Sequence, residues 1–142
     1  MLTMENKEKI TVECSVKGTI EKVWDYWTTP KHIEQWNNAS DDWHTPKAVN
    51  DLIVGGKFCY TMAAKDGSFS FDFGGTYTEV VINKAIKYTM DDGRTATIDF
   101  ITIGESVEIV ETFEAETVNS IELQKDGWQA ILNNFKKYAE HN

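Results

Sequence analysis

Glu111 stands where an apolar side chain is expected. Across 107–115, Val107, Ile109, Phe113 and Ala115 share its phase of a period-two alternation, while Glu108, Val110, Thr112 and Glu114 take the other. A carboxyl on the core side of a strand, with no cation beside it, keeps its proton above the usual carboxylate range and suits general acid or base work. The same placement also fits a structural role, in which backbone groups or tyrosine hydroxyls satisfy the carboxyl or a bulge turns it outward. Other catalytic signals are absent: there is no Gly-x-Ser-x-Gly elbow, and Gly55-Gly56 and Gly74-Gly75 lack the context of a phosphate loop.

Metal chemistry finds no support either. His32, His44 and His141 are scattered, and Asp41-Asp42, Asp91-Asp92 and Asp126 fall in turns or near helix ends, where Asp is locally favoured. Cys14 and Cys59 lack the neighbours of a redox or metal motif and are expected to be reduced. No metal or cofactor is expected.

What the sequence offers instead is apolar recognition. Phe58, Tyr60 and Met62, then Phe69, Phe71 and Phe73, then Tyr88 and Met90, form strand-like phases, with Phe100 and Phe113 continuing the pattern. Trp128, Ile131, Leu132, Phe135, Tyr138 and Ala139 recur at helical spacing and face them. Such phases fit a packed core as well as a cavity wall. Tyr60, Tyr77, Tyr88, Trp36, Trp43 and His44 are the groups that would orient a ligand in an apolar site.

These residues need elements to position them. Asn119 or Ser120 caps a helix that runs to about Glu140, with Glu122 three residues after Asn119. Gly127 inside it costs about 1 kcal/mol relative to alanine, which predicts close approach of the helix to a neighbour. At the other end of the chain, Ile10, Val12, Cys14 and Val16 mark a half-buried strand over 8–17. Thr19 then caps a short helix bearing Ile20, Val23, Trp24 and Trp27, and Thr29-Pro30 ends it and opens a second, to about Trp36.

The turn-rich stretch that follows places Trp43-His44 in a loop and suggests a short strand over Val49 to Val54. Asp66-Gly67 and Asp92-Gly93 are hairpin turns, Gly104-Glu105 is another, and Gly74-Gly75 suggests a bulge or sharp bend in a long strand. The order is a strand, two short helices, an antiparallel meander and a long helix, an α+β layer pair.

The 142 residues suffice for one domain spanning 1–142, its first few residues disordered, with a core that needs no staples. A net charge of −9 and a single arginine, Arg94, oppose nucleic acid binding. No apolar run suits a signal peptide or a membrane span, so a cytoplasmic protein without membrane insertion is expected, as a monomer or weak homodimer.

Five segments, IEKVWDYWTTPKHIEQW, DLIVGGKFCYTM, KDGSFSFDFGGTYTEVV, VEIVETFE and GWQAILNNFKKY, stand in a distinctive order and spacing. Over about Ile10 to Tyr138 the chain thereby resembles the activator of heat-shock protein 90 ATPase homologue-like family of the START-like (SRPBCC) helix-grip superfamily. The resemblance implies a curved antiparallel sheet of about six or seven strands around the long C-terminal helix, with two short helices after the first strand. It also implies a hydrophobic cavity between sheet and helix that opens near the short helices, and so favours a cavity over a packed core. The expected partner is a small hydrophobic molecule such as a lipid, polyketide or flavonoid-like compound. The alternatives are a cyclase- or hydrolase-type enzyme using Glu111 and a tyrosine, and a chaperone contact.

Overall fold

A computed structural model describes residues 8–142; the expectation of a disordered N-terminus lies outside these residues. The elements are β1 (Lys9–Lys17), α1 (Ile20–Thr28), α2 (Pro30–Trp36), β2 (Trp43–Asn50), β3 (Lys57–Ala64), β4 (Ser70–Val81), β5 (Ala85–Met90), β6 (Thr95–Ile103), β7 (Ser106–Glu114) and α3 (Ile121–His141). The strands form one antiparallel sheet in the order β1-β7-β6-β5-β4-β3-β2. The first strand therefore crosses to pair with the last, as in Val12 opposite Glu111, and the rest is a meander. The helix-grip architecture implied by the sequence is the one observed.

Local chemistry explains the helices. The Thr19 side chain accepts from the Lys22 amide at the start of α1, and Pro30 opens α2. Ser120, rather than Asn119, caps α3 by accepting from the Leu123 amide, because Asn119 gives its own amide to Glu116.

Both open edges of the sheet are covered by helical side chains, which keeps them from pairing with another chain. On β1, Gln129 of α3 accepts from the Glu13 amide and donates to the Glu13 carbonyl, Lys136 Nζ donates to the Ser15 carbonyl, and Glu140 accepts from the Lys17 amide. On β2, Glu34 of α2 accepts from the Ala48 amide at 3.0 Å.

Three local expectations are corrected. The strand expected over Val49–Val54 lies earlier, at Trp43–Asn50, and Val49, Ile53 and Val54 are exposed. Pro46 is accommodated because the β2–β3 register shifts between His44 and Lys47, so the missing N–H breaks no regular ladder.

Gly74 and Gly75 make no bulge in the β3–β4 ladder, which runs in register through both. They are needed for close approach: a Cβ on Gly75 would stand 2.6 Å from the Thr89 carbonyl and 3.0 Å from the Phe58 ring. The irregularity of β4 falls further on, between Tyr77 and Glu79.

Outside its own helix turn, nothing among the described residues stands within 4 Å of where a Cβ on Gly127 would be. It borders open space rather than a contact.

Candidate ligand-binding cavity

The tethers to β1 hold α3 over one side of the sheet. Leu132, Phe135 and Ala139 are buried there with Val12, Val16, Val107 and Ile109. Phe135 meets Trp27 and Trp36 edge-on, each with centroids 4.9 Å apart, and Trp27 in turn meets Phe100. Toward β3–β5 the N-terminal half of α3 stands clear of the sheet. The space between them is a cavity of about 350 Å³, within the range of small-ligand sites.

Its walls bring together eleven of the residues singled out from sequence: Trp36, Phe58, Tyr60, Met62, Phe71, Phe73, Tyr77, Tyr88, Glu111, Trp128 and Ile131. Trp128 is held by Phe113, stacked beneath it at 3.8 Å and 11°, and by the edge of Phe73 at 6.0 Å. Of the lining residues, Ala39, Phe71, Asn119 and Leu123 are exposed and form the rim. The mouth thus lies between the start of α3, the segment after α2 and the β3–β4 hairpin.

The remaining candidates sit elsewhere. Leu132, Phe135 and Phe100 are core, Phe113 backs Trp128, and Met90 is buried opposite Gly75. Trp43 and His44 open β2 instead of lying in a loop at the mouth, and Trp43 packs against Phe69 and Phe71 outside the cavity. Phe69 is 59% exposed, because the hairpin carries it beyond the reach of α3.

Other lining residues carry no signal for a site in the sequence: Trp27, Asn37, Arg94, Glu116, Gln124 and Gly127 among them. Trp27 was visible only as a core position of α1. Asn37 and Gln124 are polar residues next to or within helices, and only the fold buries them. The Asn37 side chain donates to Thr45 Oγ1 at 3.1 Å; Gln124 donates to the Glu116 and Asn119 carbonyls and accepts from the Glu116 amide.

Polar groups are few and mostly engaged. The Tyr77 hydroxyl donates to Asn50 Oδ1, and Asn50 in turn donates to the Thr28 carbonyl at 2.7 Å. Arg94 Nε donates to Asp92 at 2.8 Å and its Nη1 to the Glu114 carbonyl at 3.2 Å.

Glu111 differs. It points inward, as the alternation requires, and is 7% exposed, yet among the described residues it makes neither hydrogen bond nor ion pair. The structural alternatives of a satisfied or outward-turned carboxyl are therefore not what the fold adopts. Burial alone pushes its pKa up to about 8, so it is mainly protonated at neutral pH. Tyr88 is driven well above its ordinary value, first by burial and then by Glu111. Burial likewise pushes the Cys14 thiol up to about 12, and both cysteines are free. Among the described residues no cluster of metal-ligating side chains occurs, and no helix is long and apolar enough to cross a membrane.

Comparison with known proteins places this geometry. The family described as Activator of Hsp90 ATPase homolog 1-like protein matches residues 17–140. An AHSA1-like protein from Aeromonas hydrophila, solved in solution, is 46% identical over 94% of this chain and 93% of its own, with a TM-score of 0.89. A protein from Cytophaga hutchinsonii is 57% identical over the same shares, 94% and 93%, with a TM-score of 0.81. At 22% identity, a protein from Chromobacterium violaceum shares the fold over 94% of this chain and 98% of its own, with a TM-score of 0.83. No curated protein matches significantly. The chain belongs to the Activator of Hsp90 ATPase homolog 1-like family, within the START-like (SRPBCC) helix-grip superfamily.

Proposed function

We propose that the chain binds a small, mostly apolar molecule, a lipid, polyketide or flavonoid-like compound, between the sheet and α3. The observation that carries this reading is the aromatic-walled cavity of about 350 Å³ left where the helix stands away from β3–β5. Burial against Phe58, Phe73 and Trp128 supplies affinity, at roughly 25 cal/mol per Å² of apolar surface removed from water. The few free polar groups set orientation.

A thermal-shift screen with fatty acids, sterols and flavonoids tests it, since a ligand that binds only the folded chain raises its Tm. One class should stabilise the wild type. Gly127→Leu, which projects a side chain into the cavity, should fold and lose that response. A response that survives the filled cavity would place binding elsewhere.

A second reading, proton-transfer catalysis by Glu111 with Tyr88, is favoured by the unpartnered carboxyl, protonated near neutrality and facing the cavity. Turnover of an identified substrate that survives Glu111→Gln unchanged would sink it. The family description also leaves contact with a chaperone as a role for the outer surface.

A further inference from the structure

Four polar side chains are buried among the described residues: Asn37, Thr45, Gln124 and Glu111. The first three are satisfied by hydrogen bonds to Thr45, Asn37 and the 116–119 backbone respectively. Of these four only Glu111 has no hydrogen-bond partner among the described residues, and it lies on the cavity wall. A native fold that leaves one buried carboxyl unsatisfied calls for a partner supplied from outside the chain.

The surroundings specify the sign of that partner. The titratable and charged groups that line the same cavity or neighbour Glu111 are Tyr60 on β3, Tyr77 on β4, Tyr88 on β5, Cys14 on β1, Arg94 in the β5–β6 turn and Glu116 before α3, whose carboxylate is engaged by the Val118 and Asn119 amides; Gln124 and Trp128 on α3 are uncharged. Arg94 does not serve: its guanidinium is held by Asp92 and the Glu114 carbonyl, and among the described residues it makes neither hydrogen bond nor ion pair to Glu111. Aromatic rings border the same space and present electron-rich faces. A chain carrying a net charge of −9 also draws cations toward it.

We propose that the cavity takes a small hydrophobic amine, its ammonium head on the Glu111 carboxylate and its apolar body against the rings of Phe58, Phe73, Tyr88 and Trp128. The proposal rests on the reading of the cavity as a ligand site. With its pKa pushed up to about 8, Glu111 carries a proton at neutral pH. The incoming ammonium drives that proton into solvent and leaves a carboxylate–ammonium pair, so charge balances. A neutral ligand leaves the proton in place. Below pH 8 the carboxylate fraction rises about tenfold per pH unit, so amine affinity should climb with pH and level off near pH 8.

The test is titration calorimetry of the full chain with 2-naphthylmethylamine, 2-naphthylmethanol and 2-naphthoate, in two buffers of different ionisation enthalpy. At pH 7 the amine should bind about tenfold tighter than the alcohol and release about one proton, while alcohol binding should be flat with pH. Glu111→Gln should abolish both the preference and the proton release. If that variant does not fold, the wild-type pH profile decides. Equal or tighter binding of the alcohol or naphthoate, absence of proton release, or a preference that survives Glu111→Gln overturns the amine inference and leaves the cavity reading standing. Failure of all three probes to bind counts against the cavity reading itself, and the amine inference falls with it.

Discussion

Between β1–β7 and the C-terminal half of α3, Val12, Val16, Val107, Ile109 and Leu132 are sealed from solvent and Phe135 is wedged against Trp27 and Trp36. Between β3–β5 and the N-terminal half of the same helix, Tyr60, Phe71, Phe73, Tyr88 and Trp128 wall a cavity. Both regions have inward apolar phases on the strands and one continuous face on the helix. What separates them is the tether: Gln129, Lys136 and Glu140 fasten α3 to the β1 edge, and among the described residues no comparable hydrogen bond draws it to β3 or β4. An apolar phase becomes core or cavity according to where polar side chains hold the helix.

Substitutions in the two halves should therefore differ. Phe135→Ala should cost about 3–5 kcal/mol in urea unfolding, the range for emptying a packed aromatic site. Phe71→Ala, at the rim and already 43% exposed, should cost less than about 1 kcal/mol. Equal losses would break the distinction.

Glu111 sharpens it through pH. The carboxyl has an unfolded value near 4.5 and a folded value of about 8, so between these the folded state keeps a proton that the unfolded chain has lost. Its contribution to stability is complete below pH 4.5 and is lost as pH rises to about 8. Glu111→Gln should match the wild type near pH 4.5 and exceed it increasingly above, by at most about 4 kcal/mol at pH 8. A constant difference across that window would contradict an unpartnered buried carboxyl.

Gly127→Ala should raise stability by about 1 kcal/mol through helix propensity, because its new methyl meets open space, and should weaken ligand binding by the same intrusion. Smallest of all, Gln129→Ala removes two exposed hydrogen bonds to Glu13 and should cost about 0.5–1 kcal/mol. Faster amide exchange at Glu13 would be its local signature.

The helices were legible because single residues mark their ends: Thr19, Pro30 and Ser120 each act within one turn of backbone. Strand phases were equally local, and Glu111 emerged from them. β2 is hidden in the sequence because Thr45-Pro46, preceded by Asn, Ser and Asp, reads as a turn until a partner strand absorbs the irregularity. Phe69 shares a phase with Phe71 and Phe73, but how far a hairpin outruns a helix is a property of the assembled sheet. Arg94, Asn37 and Gln124 line the cavity for the same non-local reason. Gly127 marks a clearance rather than a contact, two outcomes that the helix sequence does not distinguish.

The central claim, that the space under the N-terminal half of α3 holds a ligand while the other half is solid core, is tested most directly by residue-resolved NMR titration with 2-naphthylmethanol. Shift changes should centre on Tyr60, Phe73, Tyr88, Gly127, Trp128 and Ile131 and leave Val12, Val107, Leu132 and Phe135 unmoved. Changes confined to the outer face of the sheet, or spread evenly through both halves, would contradict it.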